Sequence, residues 1–396
     1  MTTRLDRSSA GVAEAAPVRA VHLGLGGFHR AHQAWYTAAD PEWGIAAYTF
    51  RNTELPRWLT EQGGLYTMLT RGEQENHVEI VPSISRAHAG TERDQWLADV
   101  ATPEVAVITL TVTESAYHAA QPGQDSAVAR LVEGLDRRYR ANAAPIALVS
   151  CDNLPHNGAV LRRAIHDSVD RGVAGVDAGL GTWIDESVSF VDTVVDRITP
   201  ATTGADRETV STILALEDRA PVVTEPFTEW LLAGQFPGGR PEWERRGARF
   251  VDDVDAYQQR KLQFLNGAHT LLAYVGLARG YRTVSDALHD DTIAAAMESW
   301  WDTAARHSTL PGKHLAAYRE RLRARFAAPG IEHRLAQIAK DGSQKIPARI
   351  LPVLRAERRE GRLPGSAVTV LAAWLRYLRA DDVGDPHAAE LVPLAR

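Results

Sequence analysis

A lysine, an asparagine and a histidine stand at offsets of zero, five and eight within residues 261–269. At about 100° per residue of an α-helix, Asn266 lies roughly 140° and His269 roughly 80° around the axis from Lys261, so the three share one arc. An amine that exchanges protons, an amide that donates to an oxyanion and an imidazole that orients a substrate suit chemistry beside a carbonyl or hydroxyl carbon. Gly267 is unfavourable in mid-helix by about 1 kcal/mol, which usually marks a close approach by a ligand or by backbone. The segment predicts a proton-transfer site, and an ordinary polar helix face is the alternative.

Two different halves of the chain must position this segment. Strand-like apolar runs alternate with helical segments in the first half, which is typical of an α/β domain with a mainly parallel sheet. From about Tyr257 onward, apolar residues recur at helical spacing instead. We predict a flexible tail over residues 1–17, a Rossmann-like dinucleotide-binding domain over 18–255 and a mostly α-helical substrate domain over 256–396. The predicted strands cover residues 20–23, 44–50, 105–112 and 146–150, and the predicted helices cover 126–139, 262–277, 292–305, 315–326 and 368–378.

A glycine-rich turn follows the first predicted strand. Gly24 and Gly26 stand where a strand-to-helix turn lets backbone N–H groups approach a pyrophosphate. The third glycine of the usual fingerprint is replaced by His29, so a glycine turn without a ligand is the alternative. The second strand is followed by Arg51 and has no carboxylate before Glu54 to bind the ribose. A dinucleotide is the expected cofactor, NAD in the first instance, and the missing carboxylate together with Arg51 leaves NADP open.

Composition excludes several classes of protein. A length of 396 residues favours two domains, and a formal net charge of -6 gives no basic surface for nucleic acid. The single cysteine, Cys151, excludes an internal disulfide framework and suits a reducing cytosol. Residues 1–17 lack the apolar core of a signal peptide, and no run approaches 18 apolar residues. We expect a cytoplasmic protein with no membrane partner.

Seven separated motifs run along the chain: GLGGFHRAH at 24–32, TVTE at 111–114, SCDNLPHNG at 150–158, VDRI at 195–198, EPF at 225–227, KLQFLNGAH at 261–269 and DGSQK at 341–345. Together they make the chain resemble the polyol-specific long-chain dehydrogenases, the family of mannitol 2-dehydrogenase and fructuronate reductase. The resemblance implies an NAD(P)-dependent oxidoreductase that interconverts a sugar alcohol and its 2-ketose, of the D-mannitol and D-fructose type, without a metal. A keto-uronate such as fructuronate is the alternative substrate.

The resemblance also implies roles for particular residues. Lys261 corresponds to the general acid/base, Asn157 and Asn266 to its assisting asparagines, and His269 and Asp196 to substrate-site residues. A neutral lysine must accept the hydroxyl proton, and a site shielded from water lowers a lysine pKa from about 10.4. One amide donor to the oxyanion is worth roughly 3 to 4 kcal/mol. Further expected substrate contacts are Arg334, Lys345 and Glu114, and expected cofactor contacts are Gly24, Gly26, Gly27, Phe28, His29, Arg51 and Asn153.

Other interpretations remain open at this stage. Where the family commonly has a glutamate, three residues before Lys261, this chain has Gln258, which cannot relay a proton. An NAD(H)-binding sensor without turnover is therefore the alternative from another class. Asn153 would otherwise form an Asx turn, and Asp196 would otherwise pair with Arg197. Small molecules are the expected partners, and a monomer or small homo-oligomer is the expected assembly. A metal site is a further alternative, from the ligand-type residues His29, His32, Cys151, Asp152 and His156.

Overall fold

The structure is a computed structural model that describes residues 3–72, 75–175, 179–328, 333–380 and 383–395. The chain forms two compact units, Met1–Val254 and Asp255–Arg396. The boundary expected from the sequence lies one residue further along the chain. In the first unit, the strands are β1 (Thr3–Arg4), β2 (Val18–Leu23), β3 (Gly44–Tyr48), β4 (Tyr66–Arg71), β5 (Asn76–Val81), β6 (Ile84–His88), β7 (Val107–Leu110), β8 (Ile146–Ser150), β9 (Val188–Asp196), β10 (Leu216–Glu217), β11 (Val222–Thr224), β12 (Glu229–Ala233) and β13 (Arg249–Phe250).

The helices of the first unit connect these strands. Ser126 caps the fifth of them by accepting a hydrogen bond from the backbone N–H of Ala129, which is how a serine commonly starts a helix. The α-helices are α1 (Gly27–Ala31), α2 (Gln33–Thr37), α3 (Glu54–Glu61), α4 (Arg93–Ala101), α5 (Ala127–Arg140), α6 (Asn157–Asp170), α7 (Leu180–Ser187) and α8 (Gly204–Leu214), with 3-10 turns at Glu114–Tyr117, Val173–Gly175 and Trp243–Arg246.

The main sheet has the strand order β13-β12-β9-β8-β7-β2-β3-β6. Six neighbouring strands from β9 to β6 run parallel, and β12 runs antiparallel to β9. The chain passes from β2 out to β3 and β6, then returns to β7 on the other side of β2. The carboxyl ends of β2 and β7 therefore flank the switch point at which open α/β sheets bind ligands. The predicted Rossmann-type domain with its parallel sheet is confirmed.

The central strands explain why short apolar runs predicted them well. Every residue of β3, β7 and β8 is buried, as expected of parallel strands covered on both faces. The predicted runs 44–50 and 105–112 extend too far, because the strands end at Tyr48 and Leu110 and the following residues form turns at the ligand-binding edge.

The N-terminal segment is packed rather than flexible, which corrects the expected tail over residues 1–17. β1 pairs in parallel with β10, and Leu5 is fully buried. The Arg7 guanidinium donates to the carbonyl oxygens of Gly63, at 2.7 Å, and Ala13, at 2.6 Å. One apolar side chain and one multidentate donor thus anchor a segment whose composition alone suggests disorder.

The second unit is helical, as predicted. Its core includes the fully buried side chains of Phe264, Leu271, Trp300 and Trp301. Within its described residues the extended pairing is confined to an isolated bridge between Thr283 and Arg334. Its helices are α9 (Asp255–Arg260), a π-helical turn (Lys261–Asn266), α10 (Gly267–Ala278), α11 (Val284–Leu288), α12 (Asp291–Ala305), α13 (Gly312–Ala327), α14 (Leu335–Ile338), α15 (Gly342–Arg349), α16 (Leu351–Arg359), α17 (Gly365–Tyr377) and α18 (Ala388–Ala395).

In the part of the chain that the structure describes, no helix combines the length and the apolar character needed to span a bilayer.

Candidate active site

The segment that carries Lys261 and Asn266 is a π-turn rather than the predicted α-helix. The backbone N–H of Gly267 donates to the carbonyl of Leu262, five residues back. Residues five apart therefore lie about one turn apart on the same face, whereas an α-helix would separate them by roughly 140°. The turn thus gives the spacing of five a geometric meaning, because it brings Lys261 and Asn266 onto the same face of the helix.

The side-chain amide of Asn266 is a buried hydrogen-bond donor whose Nδ2 lacks an acceptor among the described residues. The residue is 9% exposed, and its Nδ2 has no hydrogen-bond partner among the described residues. Leaving such a group unsatisfied costs about 1–3 kcal/mol, and native proteins contain few examples. A donor kept ready for a substrate oxygen would account for this cost. The geometry supports the role expected for Asn266, which remains a prediction.

Lys261 and His269 are both partly buried. The imidazole of His269 lies 4.6 Å from the ring of Phe326 and 5.5 Å from the ring of His333. Phe326 is itself buried, so the packing of its ring against the imidazole of His269 restricts the orientation of that imidazole. Gln258 lies on α9, one turn before Lys261, and is also partly buried.

Gly267 is required by an aromatic neighbour. A Cβ atom at this position would lie 2.7 Å from Nε1 and 2.9 Å from Cζ2 of Trp300. The same Nε1 donates to the carbonyl of Gln263 at 2.8 Å, and Nε1 of Trp301 donates to the carbonyl of Phe264 at 2.8 Å. The close approach expected at the mid-helix glycine is therefore made by an indole ring. These tryptophans were not among the expected site residues.

The ammonium of Lys345 is engaged by backbone. Nζ donates to the carbonyls of Ile338, at 3.2 Å, and Lys340, at 2.6 Å, and lies 3.6 Å from the carboxylate of Asp341. Burial, reinforced by the charge of Arg349, lowers the pKa of Lys345. These contacts close the C-terminal end of α14, so the expected substrate contact would require the ammonium to exchange them.

Arg334 occupies the other end of the same helix. It is the residue before α14, it is exposed, and its backbone forms the bridge to Thr283. An exposed guanidinium on a fixed backbone is suited to bidentate binding of a carboxylate. Its expected role toward an acidic substrate therefore remains a prediction.

The glycine turn after β2 is fixed by backbone contacts with the ends of β3 and β7, the two strands next to β2. Gly24 has φ +113°, and a Cβ atom there would lie 1.9 Å from the carbonyl oxygen of Thr111. The N–H groups of Gly24 and Leu25 both donate to the carbonyl of Tyr48, at 2.9 and 2.8 Å. A Cβ atom on Gly26 would meet only the Gly24 carbonyl, at 3.6 Å. Space thus remains beside Gly26, as close approach of a pyrophosphate requires, and a dinucleotide fits this turn.

The side chain of His29 faces the core, and its expected contact with the cofactor remains a prediction. It is fully buried, and its ring stacks on that of His22 at 3.3 Å between centroids. The two nitrogens of His22 hydrogen-bond with the hydroxyls of Thr109, at 2.7 Å, and Thr111, at 3.0 Å. Burial lowers the pKa of His22 to about 3, and burial together with His22 lowers that of His29 well below its ordinary value. The two neutral imidazoles thus pack together between β2 and α1, the two elements that the glycine turn connects.

The side chain of Asn157 links strand ends. It is fully buried, its Nδ2 donates to the carbonyls of Asp152, at 3.0 Å, and Thr193, at 3.1 Å, and its Oδ1 accepts from the N–H of Thr193 at 2.9 Å. The carboxylate of Asp152 in turn accepts from the N–H of Val112, at 2.7 Å, and from the Tyr117 hydroxyl. Both amide hydrogens of Asn157 are thus used in joining β8 to β9. The donation to a substrate oxygen that the resemblance implies would break one of these bonds.

Asp196 ends β9 at 6% exposure, opposite Glu229 of β12. The neighbouring guanidinium of Arg197 donates to the carbonyl of Ala31 at 2.6 Å and lies over the ring of Trp35 at 4.6 Å. Arg197 therefore has partners other than Asp196, which weakens the alternative of a simple ion pair. A substrate contact by Asp196 remains a prediction.

The other expected positions follow the carboxyl ends of the central strands. Gly27 and Phe28 begin α1 and are partly buried, whereas Arg51 after β3 and Asn153 after β8 are exposed. Glu114 begins the 3-10 turn after β7, and its side chain lies outside the described residues. The backbone thus brings these positions to one edge of the sheet, and their contacts with a ligand remain predictions.

The residues of the alternative metal site have other surroundings. Nε2 of His32 hydrogen-bonds with the carbonyl of Glu229 at 3.1 Å, and Cys151 is buried, which raises the pKa of its thiol well above the ordinary value. Across the described ranges, no three or more His, Cys, Asp and Glu side chains are grouped so that they could hold a metal ion.

Comparisons with known proteins cover both units. Family models for the mannitol dehydrogenase Rossmann domain and C-terminal domain match residues 18–245 and 253–391. The D-mannonate oxidoreductase of Escherichia coli K12 is 35% identical over 94% of this chain and 84% of its own length. A solved ternary complex of Pseudomonas fluorescens mannitol 2-dehydrogenase with NAD and D-mannitol is 31% identical, with a TM-score of 0.81 over 100% of this chain and 86% of that one. A D-sorbitol dehydrogenase solved without substrate is 25% identical, with a TM-score of 0.88 over 100% and 90% of the two chains.

These matches confirm the predicted family and the oxidoreductase class. The expected cofactor agrees with the NAD present in the Pseudomonas complex. The helical second unit and the Rossmann unit each match a family model of their own. The chain therefore belongs to the mannitol dehydrogenase family.

Proposed function

We propose that this protein is an NAD-dependent dehydrogenase that interconverts a sugar alcohol with its 2-ketose, of the D-mannitol and D-fructose type. The observation that carries the proposal is the π-turn, which sets Lys261 beside the unpartnered amide of Asn266. The locked turn at Gly24, with open space beside Gly26, supports a dinucleotide site. The NAD and D-mannitol in the Pseudomonas relative support the choice of cofactor and substrate.

Each residue has a defined task in this reaction. In the oxidation, neutral Lys261 accepts the proton of the substrate hydroxyl, and in the reduction its ammonium donates a proton to the carbonyl oxygen. The amide of Asn266 donates to the same oxygen as negative charge develops on it. His269, restricted by Phe326, orients a neighbouring hydroxyl. Bound NAD would supply the hydride acceptor, and the open backbone beside Gly26, in the turn shaped by Gly24, would hold its pyrophosphate.

A second candidate keeps this chemistry and changes the substrate to a sugar acid and its keto-uronate. It is favoured by the D-mannonate oxidoreductase, which shares more identical residues with this chain than the solved mannitol 2-dehydrogenase does. A carboxylate needs a cationic partner, and the exposed Arg334 is the candidate.

We also propose the cytosol as the place of action, with small molecules as the only partners and a monomer or small homo-oligomer as the assembly. The single cysteine is typical of a protein from a reducing compartment. Sizing the purified protein by light scattering tests the assembly.

One substrate panel tests these proposals together. Initial rates are measured with D-mannitol, D-sorbitol and D-mannonate, and with their ketone products, in the presence of NAD(H) or NADP(H). We expect the highest kcat/KM for D-mannitol with NAD, whereas a higher value for D-mannonate would select the second candidate. Arg334→Ala should then raise KM about tenfold for the acid alone, and equal effects on neutral and acidic substrates would contradict its role.

The lysine is tested separately. Lys261→Ala should abolish turnover in both directions, and Lys313→Ala, which changes an exposed lysine on α13, is the matched control. Unchanged turnover in Lys261→Ala would refute the acid/base assignment. A wild-type protein that binds NADH but turns over none of the pairs would instead be a sensor, as Gln258 allows.

A further inference from the structure

We propose that Trp300 and Trp301 are positioning residues for the proton transfer, because their indole N–H groups hold the π-turn that sets Lys261 beside Asn266. The inference rests on the proposed function for its consequence in catalysis. The geometric part, that the two indoles maintain the turn, stands on contacts within the second unit.

The two indoles act on consecutive peptide units. Trp300 and Trp301 are fully buried neighbours on α12, and they donate to the carbonyls of Gln263 and Phe264 at 2.8 Å each. A buried indole N–H needs an acceptor. Here both acceptors are backbone groups of the π-turn, so the two bonds connect α12 directly to the segment that begins with Lys261.

A π-turn needs such support because it is a rare arrangement, whereas an α-helix would satisfy the same carbonyls by itself. Gly267 completes the support, since its missing side chain lets the ring of Trp300 lie against the helix backbone. Without the indole donors, the balance moves toward a four-residue turn. Asn266 would then rotate to roughly 140° from Lys261 and leave its face.

Trp301 is also connected to His269 through the ring of Phe326. Trp301 stacks on Phe326 at 6.3 Å between centroids, and Phe326 lies 4.6 Å from the imidazole of His269. On its other side, Trp301 has the guanidinium groups of Arg319 and Arg323 at 5.6 Å from its ring. Trp301 is thus packed among these side chains. It helps to fix the position of the Phe326 ring, which in turn packs against the imidazole of His269.

The test removes the N–H groups and keeps the rings. Trp300→Phe and Trp301→Phe should each lower kcat about five- to tenfold, since one hydrogen bond of about 1 to 1.4 kcal/mol is lost at the turn. The KM for NAD should stay unchanged. The matched control is Trp96→Phe, which removes a buried indole bond of 2.9 Å to the carbonyl of Arg130 in the first unit and should leave kcat unchanged.

A second measurement does not depend on turnover. The chain has only four lysines, Lys261, Lys313, Lys340 and Lys345, so the reaction of each with acetic anhydride can be followed by peptide mass spectrometry. The pH midpoint of acetylation at Lys261 should move by about half a unit or more in Trp300→Phe and Trp301→Phe, toward that of exposed Lys313. The midpoints of the other three lysines should stay fixed, and Trp96→Phe should change none of the four.

The outcomes separate the possible explanations. Variants with a lower Tm but an unchanged kcat, pH profile and Lys261 midpoint would show that the tryptophans only fill the core, which overturns the proposal. If the tryptophan variants do not fold, Gly267→Ala displaces Trp300 and keeps both indoles, and an unchanged Lys261 midpoint there overturns it equally. A wild-type protein without turnover would refute the proposed function, while the Lys261 midpoints would still decide whether the indoles hold the turn.

Discussion

Replacement of Asn266 by alanine should separate catalysis from stability. The unpartnered Nδ2 is unfavourable in the folded protein by about 1–3 kcal/mol, and alanine removes it. The loss of buried side-chain contacts offsets roughly 1 kcal/mol of this gain. The Asn266 carbonyl still accepts from the Thr270 hydroxyl at 2.8 Å. The free energy of unfolding should therefore stay constant or rise by about 1–2 kcal/mol, whereas kcat should fall by about 10²- to 10³-fold because an oxyanion donor is lost.

Asn157→Ala is the matched control, because it also truncates a buried asparagine. Here the side chain makes hydrogen bonds to Asp152 and to Thr193, and its removal leaves buried backbone groups without partners. At about 1 kcal/mol for each bond, the loss is about 3 kcal/mol, or a decrease in Tm of roughly 6–12 °C for a unit of this size.

The assay combines thermal unfolding, followed by circular dichroism, with steady-state rates in both directions. The expected pattern is an Asn266→Ala protein with a Tm equal to or above that of the wild type and a greatly reduced kcat, beside an Asn157→Ala protein with a clearly reduced Tm. If Asn266→Ala lowers Tm as much as the control does, the amide of Asn266 is structural. If its kcat is unchanged, the role as an oxyanion donor is refuted.

Two further predictions concern the first unit. Gly24→Ala should lower Tm and weaken NADH binding, measured by fluorescence titration, because its Cβ would lie 1.9 Å from the Thr111 carbonyl. Gly123→Ala is the control, because Gly123 also has a positive φ but nothing within 4 Å, so the variant should lower Tm through backbone strain alone and leave NADH binding unchanged. Retained NADH affinity in Gly24→Ala would contradict the proposed turn. His22 and His29 are held neutral when folded but gain protons when unfolded, so stability should be complete above about pH 6.5 and decrease as pH falls below it, by up to roughly 1.4 kcal/mol per pH unit for each group. For His22 this decrease extends to about pH 3. Tm measured between pH 7 and 5 should show this slope, reduced in His22→Gln, and an equal slope in that variant would contradict the assignment.

The elements that could be predicted from the sequence are those whose start, end and buried face depend on residues close together in the chain. The central strands are short, wholly apolar runs between turns, and α5 begins at a serine that caps it, so both could be recognised from neighbouring residues. The N-terminal segment could not, because its order depends on Leu5 and on bonds from Arg7 to the distant Gly63. Composition does not report contacts of that kind.

The candidate site shows the same division. Residue types and spacing identified Lys261, Asn266 and His269, but an α-helical wheel spread the first two over an arc of roughly 140°, whereas the π-turn brings them onto one face. The π-turn that joins them depends on Trp300 and Trp301, which lie more than thirty residues further along the chain. Within the segment itself, Gly267 was the residue that indicated an unusual helix geometry. The surroundings of His29 could not be predicted from the motif either, because its ring stacks on that of His22, a residue of the preceding strand.

The π-turn also has a consequence for how such a site can arise and vary. A five-residue turn accommodates one more residue than an α-helical turn, and the helix that follows can keep its orientation and its packing. Insertion of a single codon into an ordinary helix would therefore change the residues that face a substrate while α10 retained its buried neighbours. In evolutionary terms, the reactive face and the core of the second unit can then diverge under separate selection.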